Sequence, residues 1–459
     1  MQSVAPAFAR LRRFRPAYAA LSLGLGSALL LPGNARASNE DDFFLGNRAA
    51  MTAGAVTASV GDGSAAFNNP AGLASADRSS IDVSGSVYCL RFYRASHFLG
   101  LDGGPSKDAS VTEFLAIPTA IAYLTRLADG VSLGLGYFVP RSSDFVLREN
   151  LDVNDGKQSS NFGLNLRQSR SDYLLIAALG ARVTPRLRVG VSVAAALENV
   201  VSAAALFGSV SRGLDTQKSL QSDEFSTRWA VGMELDVGAQ WDVTPALTLG
   251  VALRGPRLRV WQTVDGRTNT SAAAVEPGLD PILLTGSTAV EPNGNTVSLV
   301  RAGRYIAGMA LQLGAGTLSV DADVQPGLRL PGAGVDRRLT FNARVGYVYE
   351  ITPHLLLGAG VFSDRATEPQ GFSLVGAQGD FYGGTLGLEI NNVHRLAPGD
   401  EAQSMQLSTV FAFRYATSSG STTKLRAHPD QQVPLLFEEA RGGIAVHEIG
   451  FHVGSALHF

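Results

Sequence analysis

The sequence predicts an all-β protein, a transmembrane antiparallel β-barrel of 14 strands with a small N-terminal hatch (plug) inside the lumen. Three observations lead there. Large apolar residues recur at every second position, the period of a strand with one lipid-facing side. The connections between these stretches alternate between tight turns and long polar segments. The last stretch keeps alternating up to Phe459, an aromatic final residue.

The chain opens on a basic region, Arg10, Arg12, Arg13 and Arg15, followed by a short apolar run from Tyr18 to Leu31. Ala35-Arg36-Ala37 is a small-x-small cleavage site, so residues 1–37 read as a signal peptide cut between Ala37 and Ser38. The run falls short of the roughly 20 residues of a spanning helix. Pro32-Gly33 ends it. No later stretch supplies such a helix, which leaves an exported chain that is soluble or a barrel. Five of the 38 basic residues lie in the signal segment, leaving 33 against 40 acidic ones. That balance argues against a protein that tracks nucleic-acid phosphates, and no nucleic-acid partner is expected. The single Cys89 can form no internal disulfide despite an oxidising destination, and is expected to be a strand residue without chemistry.

Residues 38–78 form the expected hatch, and 79–459 the barrel. Gly46 to Ala74 is built largely of Gly, Ala, Ser, Thr and Asn, with one large aromatic, Phe67, just before Asn68-Asn69-Pro70-Ala71-Gly72. Such a segment has too few large apolar side chains for a core of its own. It also lacks the charge and proline density of a disordered linker. It suits a segment packed closely inside a container. Asn69-Pro70-Ala71 is expected as a rigid turn against the barrel wall beside the third strand. Proline fixes its own φ and biases Asn69 towards an extended conformation.

At these residues the chain resembles the FadL/TodX outer-membrane transporters of fatty acids and hydrocarbons. Arg48-Ala49, Gly54-Ala55, Asp62, Ser64-Ala65 and Asn69-Pro70-Ala71 match the run carried by the plug of that family.

The strands follow in order, at about 80–94, 112–125, 130–140, 171–184, 186–199, 227–243, 246–261, 296–313, 316–325, 337–351, 354–364, 379–391, 404–416 and 445–459. One device recurs between them: Val183-Thr184-Pro185, Val243-Thr244-Pro245 and Ile351-Thr352-Pro353 each supply the fixed φ of a tight turn. Leu187, Val189, Val191 and Val193 then share one face, opposed by Arg188, Gly190, Ser192 and Ala194. Tight turns follow the even strands; 141–170, 200–226, 262–295 and 417–444 are expected as long outer loops. This alternation is that of a membrane barrel with both termini inside, and a β-sandwich has no reason to show it. The connection 392–403 is long for a periplasmic turn. In the last strand His452-x-Gly454-x-x-Leu457-x-Phe459 looks like the signal read by the barrel assembly machinery, with Gly454, Leu457 and Phe459 as its key positions.

Little in the chain points to catalysis. Gly130-Val131-Ser132-Leu133-Gly134 has the spacing of a nucleophile elbow, but it opens an alternating strand where that motif needs a strand-to-helix turn. The histidines lack metal-ligand spacing; His452 and His458 are expected as lumen residues, with His447 on the opposite face. Neither enzyme activity nor a metal or cofactor is expected.

The resemblance implies passive uptake of hydrophobic molecules across the outer membrane of a Gram-negative bacterium, by a monomer in contact with outer-membrane lipids. It implies that the N-terminal tail reaches the ligand, which makes Phe43, Phe44 and Leu45 candidate pocket residues together with Phe67. The acidic Glu40-Asp41-Asp42 beside them favours a neutral hydrophobe, or a carboxylate held elsewhere by Arg. It implies an outer groove made by two loops, whose apolar candidates here are Leu206, Phe207, Ile282 and Leu283. It implies a side opening in the third strand, where Gly134, Gly136 and Pro140 could weaken pairing. The rival readings are a porin for small polar solutes, a secretion or surface-attachment partner, and an outer-membrane lipase.

Overall fold

A strand that alternates apolar and small or polar residues can turn one face to lipid only if its backbone finds partners on both edges, and a closed barrel supplies them. The computed structural model describes residues 43–101, 104–154, 156, 158–212, 216–278, 280–290, 297–330, 335–367, 378–395, 404–428 and 436–459. The signal peptide, residues 38–42 and most of the 392–403 connection lie outside the described residues.

The wall is one antiparallel barrel of 14 strands. These are β1 (Ser80–Leu101), β2 (Ser106–Ala128), β3 (Val131–Asn154), β4 (Gln158–Thr184), β5 (Leu187–Arg212) and β6 (Thr216–Thr244). Next come β7 (Leu247–Arg254 and Arg257–Val275) and β8 (Ile282–Val290, Ser298–Arg301 and Arg304–Leu313). Then follow β9 (Gly316–Gln325), β10 (Thr340–Thr352), β11 (Leu355–Asp364), β12 (Gln378–Arg395), β13 (Ser404–His428) and β14 (Leu436–His458). The two pieces of β7 both pair with β6, and the pieces of β8 pair in turn with those of β7. Pro256, which has no N–H to give the ladder, sits at the interruption of β7. The ring closes where Ile81 of β1 faces Leu457 of β14.

The two faces separate as the pattern requires. Val191, Leu235, Val251, Phe341 and Phe451 are exposed on the outside. Ser192, Asp236, Ala252, Asn342 and His452 are buried within. An apolar outer surface this continuous is stable against lipid, not water. His447 lies on the outside against the Tyr415 hydroxyl at 3.0 Å, opposite to the buried His452.

The Thr-Pro turns form at one end of the barrel, the turn end, and the threonine does more than precede proline. The Oγ1 atoms of Thr184 and Thr244 accept from the N–H groups of Leu187 and Leu247, each at 3.0 Å, closing each turn with a side chain. At the other end, the hairpin end, the structure corrects the sequence reading. The segments 141–170, 200–226, 262–295 and 417–444 are mostly strand: β3 with β4, β5 with β6, β7 with β8 and β13 with β14 stay paired far beyond membrane length. Backbone pairing does not require lipid, and these hairpins bury an apolar inner face of their own. Phe98, Leu147, Leu151, Phe162, Leu164, Leu166 and Leu206 pack there as one cluster.

The N-terminal segment 43–79 lies within this ring. It holds helix α1 (Asn47–Met51), helix α2 (Ala65–Asn68) and a 3-10 helix (Pro70–Ser75). Met51 sits over Gly358 and Gly387, Thr52 over Gly346, Thr57 over Gly250 and Gly308, Pro70 over Gly190, and Leu73 over Gly134 and Gly180. A chain touching β3–β5, β7, β8 and β10–β12 at once can only be inside. Glycine at these wall positions lets two backbones meet where a Cβ would collide.

Candidate functional site

The site begins with Asn69. Its side chain is buried; its Oδ1 accepts from the Ala71 N–H at 3.2 Å, and its Nδ2 donates to the Thr57 carbonyl at 2.7 Å and the Ala239 carbonyl at 3.3 Å. One residue thus caps the 3-10 helix, ties the segment to itself and ties it to β6. Asn69 is extended (φ −160°, ψ 103°), as expected ahead of proline. The location differs from expectation: Asn69-Pro70-Ala71 abuts β5 and β6, through Gly190 and Gly238, while Leu73 reaches β3. Asp321 of β9 fixes a second point, accepting from the Val56 and Thr57 N–H groups, each at 2.9 Å.

On the lumen side of this seat is a cavity lined by Phe43, Phe44, Leu45, Phe67, Phe362, Arg254, Arg344, Arg414 and Asp364, among others. The sequence-derived candidates Phe43, Phe44, Leu45 and Phe67 come together here. The rings are held by specific contacts: Phe44 meets Phe362 edge-on at 5.0 Å, and the Arg254 guanidinium lies 3.8 Å over Phe67. Arg414 stands 4.8 Å from Phe44 and 4.9 Å from Phe362. A second cavity shares Phe43, Phe44 and Arg414 and adds Cys89, Phe451 and His452. The His452 Nε2 is 3.2 Å from Asn47 Oδ1.

The guanidiniums belong to a belt of buried ion pairs around the lumen, which the sequence reading missed. Arg414 pairs with Glu448 at 3.2 Å, Arg91 with Glu448 at 2.7 Å, Arg304 with Asp323 at 2.8 Å and Arg344 with Asp323 at 3.5 Å. Arg257 bridges Asp172 and Glu234, and Glu198 joins Arg170 and Arg228. Buried charges are tolerable only when paired in this way. The available signal was the recurrence of Arg or a carboxylate on the inward parity of successive strands.

The wall is broken beside this site. β2 and β3 pair from Ala128↔Val131 up to Ala120↔Phe138 and no further, although both strands continue towards the hairpin end. Beyond that pair β2 keeps only β1, and β3 keeps only β4 after a slip between Phe138 and Arg141. Pro118 and Pro140 stand on the two strands at the break, and neither has an N–H to offer. Gly134 and Gly136, expected to weaken the third strand, are fully paired on both sides; of the three candidates only Pro140 is at the break. Phe138, the last paired residue, is buried and stacks on Phe67 at 5.6 Å. Cavity and break therefore share a wall of two rings.

Among the outer candidates, Leu206 is inside the buried apolar cluster and Phe207 faces the other way, over Gly163. Ile282 and Leu283 are exposed, Leu283 at 73%. All four are strand residues, and the structure does not gather them into one groove. Ser132 lies in extended β3, buried and without an elbow. Gly454 packs on Asn47, and Leu457 pairs with Ile81 and Leu407.

No family model matches the chain. A stretch of 115 residues is 34% identical to the putative outer membrane protein NMB0088 of Neisseria meningitidis; it spans 23% of this chain and 24% of that relative. Among solved structures, a FadL homologue of Pseudomonas aeruginosa superposes with a TM-score of 0.59 at 14% identity, over 91% of this chain and 99% of the other. The toluene transporter TodX of Pseudomonas putida does so at 0.51 and 14%, over 92% and 99%. The monoaromatic hydrocarbon channel CymD does so at 0.50 and 13%, over 90% and 97%. The protein is a closed antiparallel β-barrel with an apolar outer face. Its fold is that of the FadL and TodX channels.

Proposed function

We propose that the protein is a passive channel that takes hydrophobic molecules into the aromatic cavity and releases them sideways through the β2–β3 break. The observation that carries this reading is Phe67, which lines the cavity and stacks on Phe138 at the edge of the break. A hydrophobe moving from cavity to lipid stays against apolar surface, and at about 25 cal/mol per Å² of area kept from water no energy source is needed. The segment 43–78 acts as the hatch that keeps polar solutes out, seated on the glycine wall. A porin for small polar solutes needs an open aqueous lumen, and this lumen is occupied by a segment with Met51, Ala53, Ala65 and Leu73 fully buried. Residues 1–37 direct export, and the terminal strand directs assembly.

The lining supports one substrate class, an amphipathic hydrophobe. Four phenylalanines and Leu45 suit an apolar body, and Arg254, Arg344 and Arg414 suit an acidic head. This reading sets an acidic head in the same cavity as Phe43, Phe44 and Leu45, where the sequence favoured a neutral hydrophobe or a carboxylate held elsewhere by Arg; Glu40, Asp41 and Asp42 lie outside the described residues. The test is uptake into liposomes containing the purified protein, with a fatty carboxylate and a neutral hydrocarbon of similar size. Phe67→Ser should lower uptake of both about tenfold while the barrel stays heat-modifiable. Unchanged uptake in that variant would contradict the route.

A further inference from the structure

The β2–β3 break is not open along its whole length. Above it, on the hairpin side, a single buried carboxylate crosses from one strand to the other. Glu113 of β2 is 1% exposed, and its Oε1 accepts from the backbone N–H of Asp144 on β3. Its Oε2 accepts from the Tyr93 hydroxyl at 2.9 Å and lies 3.7 Å from Arg91 Nη1, while the Arg91 Nε is engaged by Glu448 at 2.7 Å. Tyr93 is itself braced edge-on by Phe145 of β3 at 5.3 Å. Asp144 is in the part of β3 that has no β2 backbone partner. A side chain therefore gives β3 the acceptor that the β2 backbone would supply in a complete ladder. Farther out, Lys107 bonds the Asn150 carbonyl at 3.0 Å and Glu149 at 2.9 Å, but that ammonium is half exposed and screened by solvent.

We infer that Glu113 is a strap that fixes the upper edge of the wall break, and so sets the largest solute that can leave through it. The lower edge is the Ala120↔Phe138 pair, and the strap closes the frame at Asp144. The carboxylate is held by the Tyr93 hydroxyl and by Arg91 on its own side of the gap, so swinging away from β3 would give up both contacts, while Arg91 keeps Glu448. A fixed strap of this kind gives the opening a size where strand separation alone would give a slit. Glu113 is a positioning residue that touches the wall, not the solute. The inference rests on the sideways route proposed above.

The experiment separates the two. With Cys89→Ser in the background, spin labels at Thr112 of β2 and Val146 of β3 report the strand separation directly, without transport. Glu113→Ala should lengthen and broaden that distance. Glu113→Gln, which keeps an acceptor for the Asp144 N–H, should leave it as in the unsubstituted protein. In liposome uptake, Glu113→Ala should raise the ratio of bulky to slim hydrophobe entry severalfold, and Glu113→Gln should not. An unchanged distance in Glu113→Ala, or the same widening in both variants, would overturn the strap; the second result would make Glu113 only a counter-charge for Arg91. A widened gap with an unchanged size ratio would overturn its role in solute size. If the unsubstituted protein admits no hydrophobe at all, the route itself fails, whatever the labels report.

Discussion

Asn69 uses both ends of its carboxamide to hold the segment in place, which makes it the residue whose loss should be felt most locally. Asn69→Ala removes the acceptor for the buried Ala71 N–H and takes one donor each from the carbonyls of Thr57, which keeps Gln240 Nε2 at 3.2 Å, and Ala239. Leaving that N–H unsatisfied costs about 1–3 kcal/mol, partly recovered if water enters. The expected result is faster hydrogen exchange through residues 57–75 with an almost unchanged barrel melting temperature. Exchange slowed or unaltered there would show that the glycine contacts alone seat the segment. The extended backbone of Asn69 was legible in the sequence, because proline restricts the residue before it; the bonds of its side chain were not. Its neighbours on β5 and β6 were not legible, since no rule of spacing says which strand a packed helix will touch.

At the scale of the strand, face and turn were readable and length was not. Leu187, Val189, Val191 and Val193 show which side meets lipid without any knowledge of the fold, and Thr184-Pro185 shows where the strand begins. The limit expected for a strand was the thickness of a bilayer, so Phe162, Leu164 and Leu166 were assigned to a loop although they alternate. The break in β3 illustrates a different limit. Gly134 and Gly136 were the obvious weak points, yet glycine keeps its N–H and stays in the ladder. Proline does not. Replacing Pro118 and Pro140 together with Val restores two donors and should extend β2–β3 pairing past Phe138. Hydrophobe uptake is then expected to fall about tenfold, with the barrel as stable as before or more so, in both liposome uptake and thermal unfolding. Full uptake by the double variant would show that the break is held open by something other than the missing N–H groups.

For the whole molecule, the arrangement is a lumen that residues 43–79 occupy, with a gap in the backbone pairing of its wall. The glycine seat, the ion-pair belt and the apolar hairpin cluster each fill the barrel at a different level, and β2–β3 is where the ring of backbone pairing is interrupted beside the aromatic cavity. Of this architecture, the 14-stranded barrel was legible in the sequence. The belt was not, because Glu448 of β14 meets Arg91 of β1 only when the ring closes. The most direct test of the account joins the edges of the gap. Cysteines at Ala116 of β2 and Ser143 of β3, with Cys89→Ser, are linked by a bis-maleimide carrying a cleavable disulfide, and hydrophobe uptake into liposomes is measured before and after reduction. The account predicts that the linked protein is closed to hydrophobes and that reduction restores their entry. Equal uptake in the linked and cleaved states would contradict it.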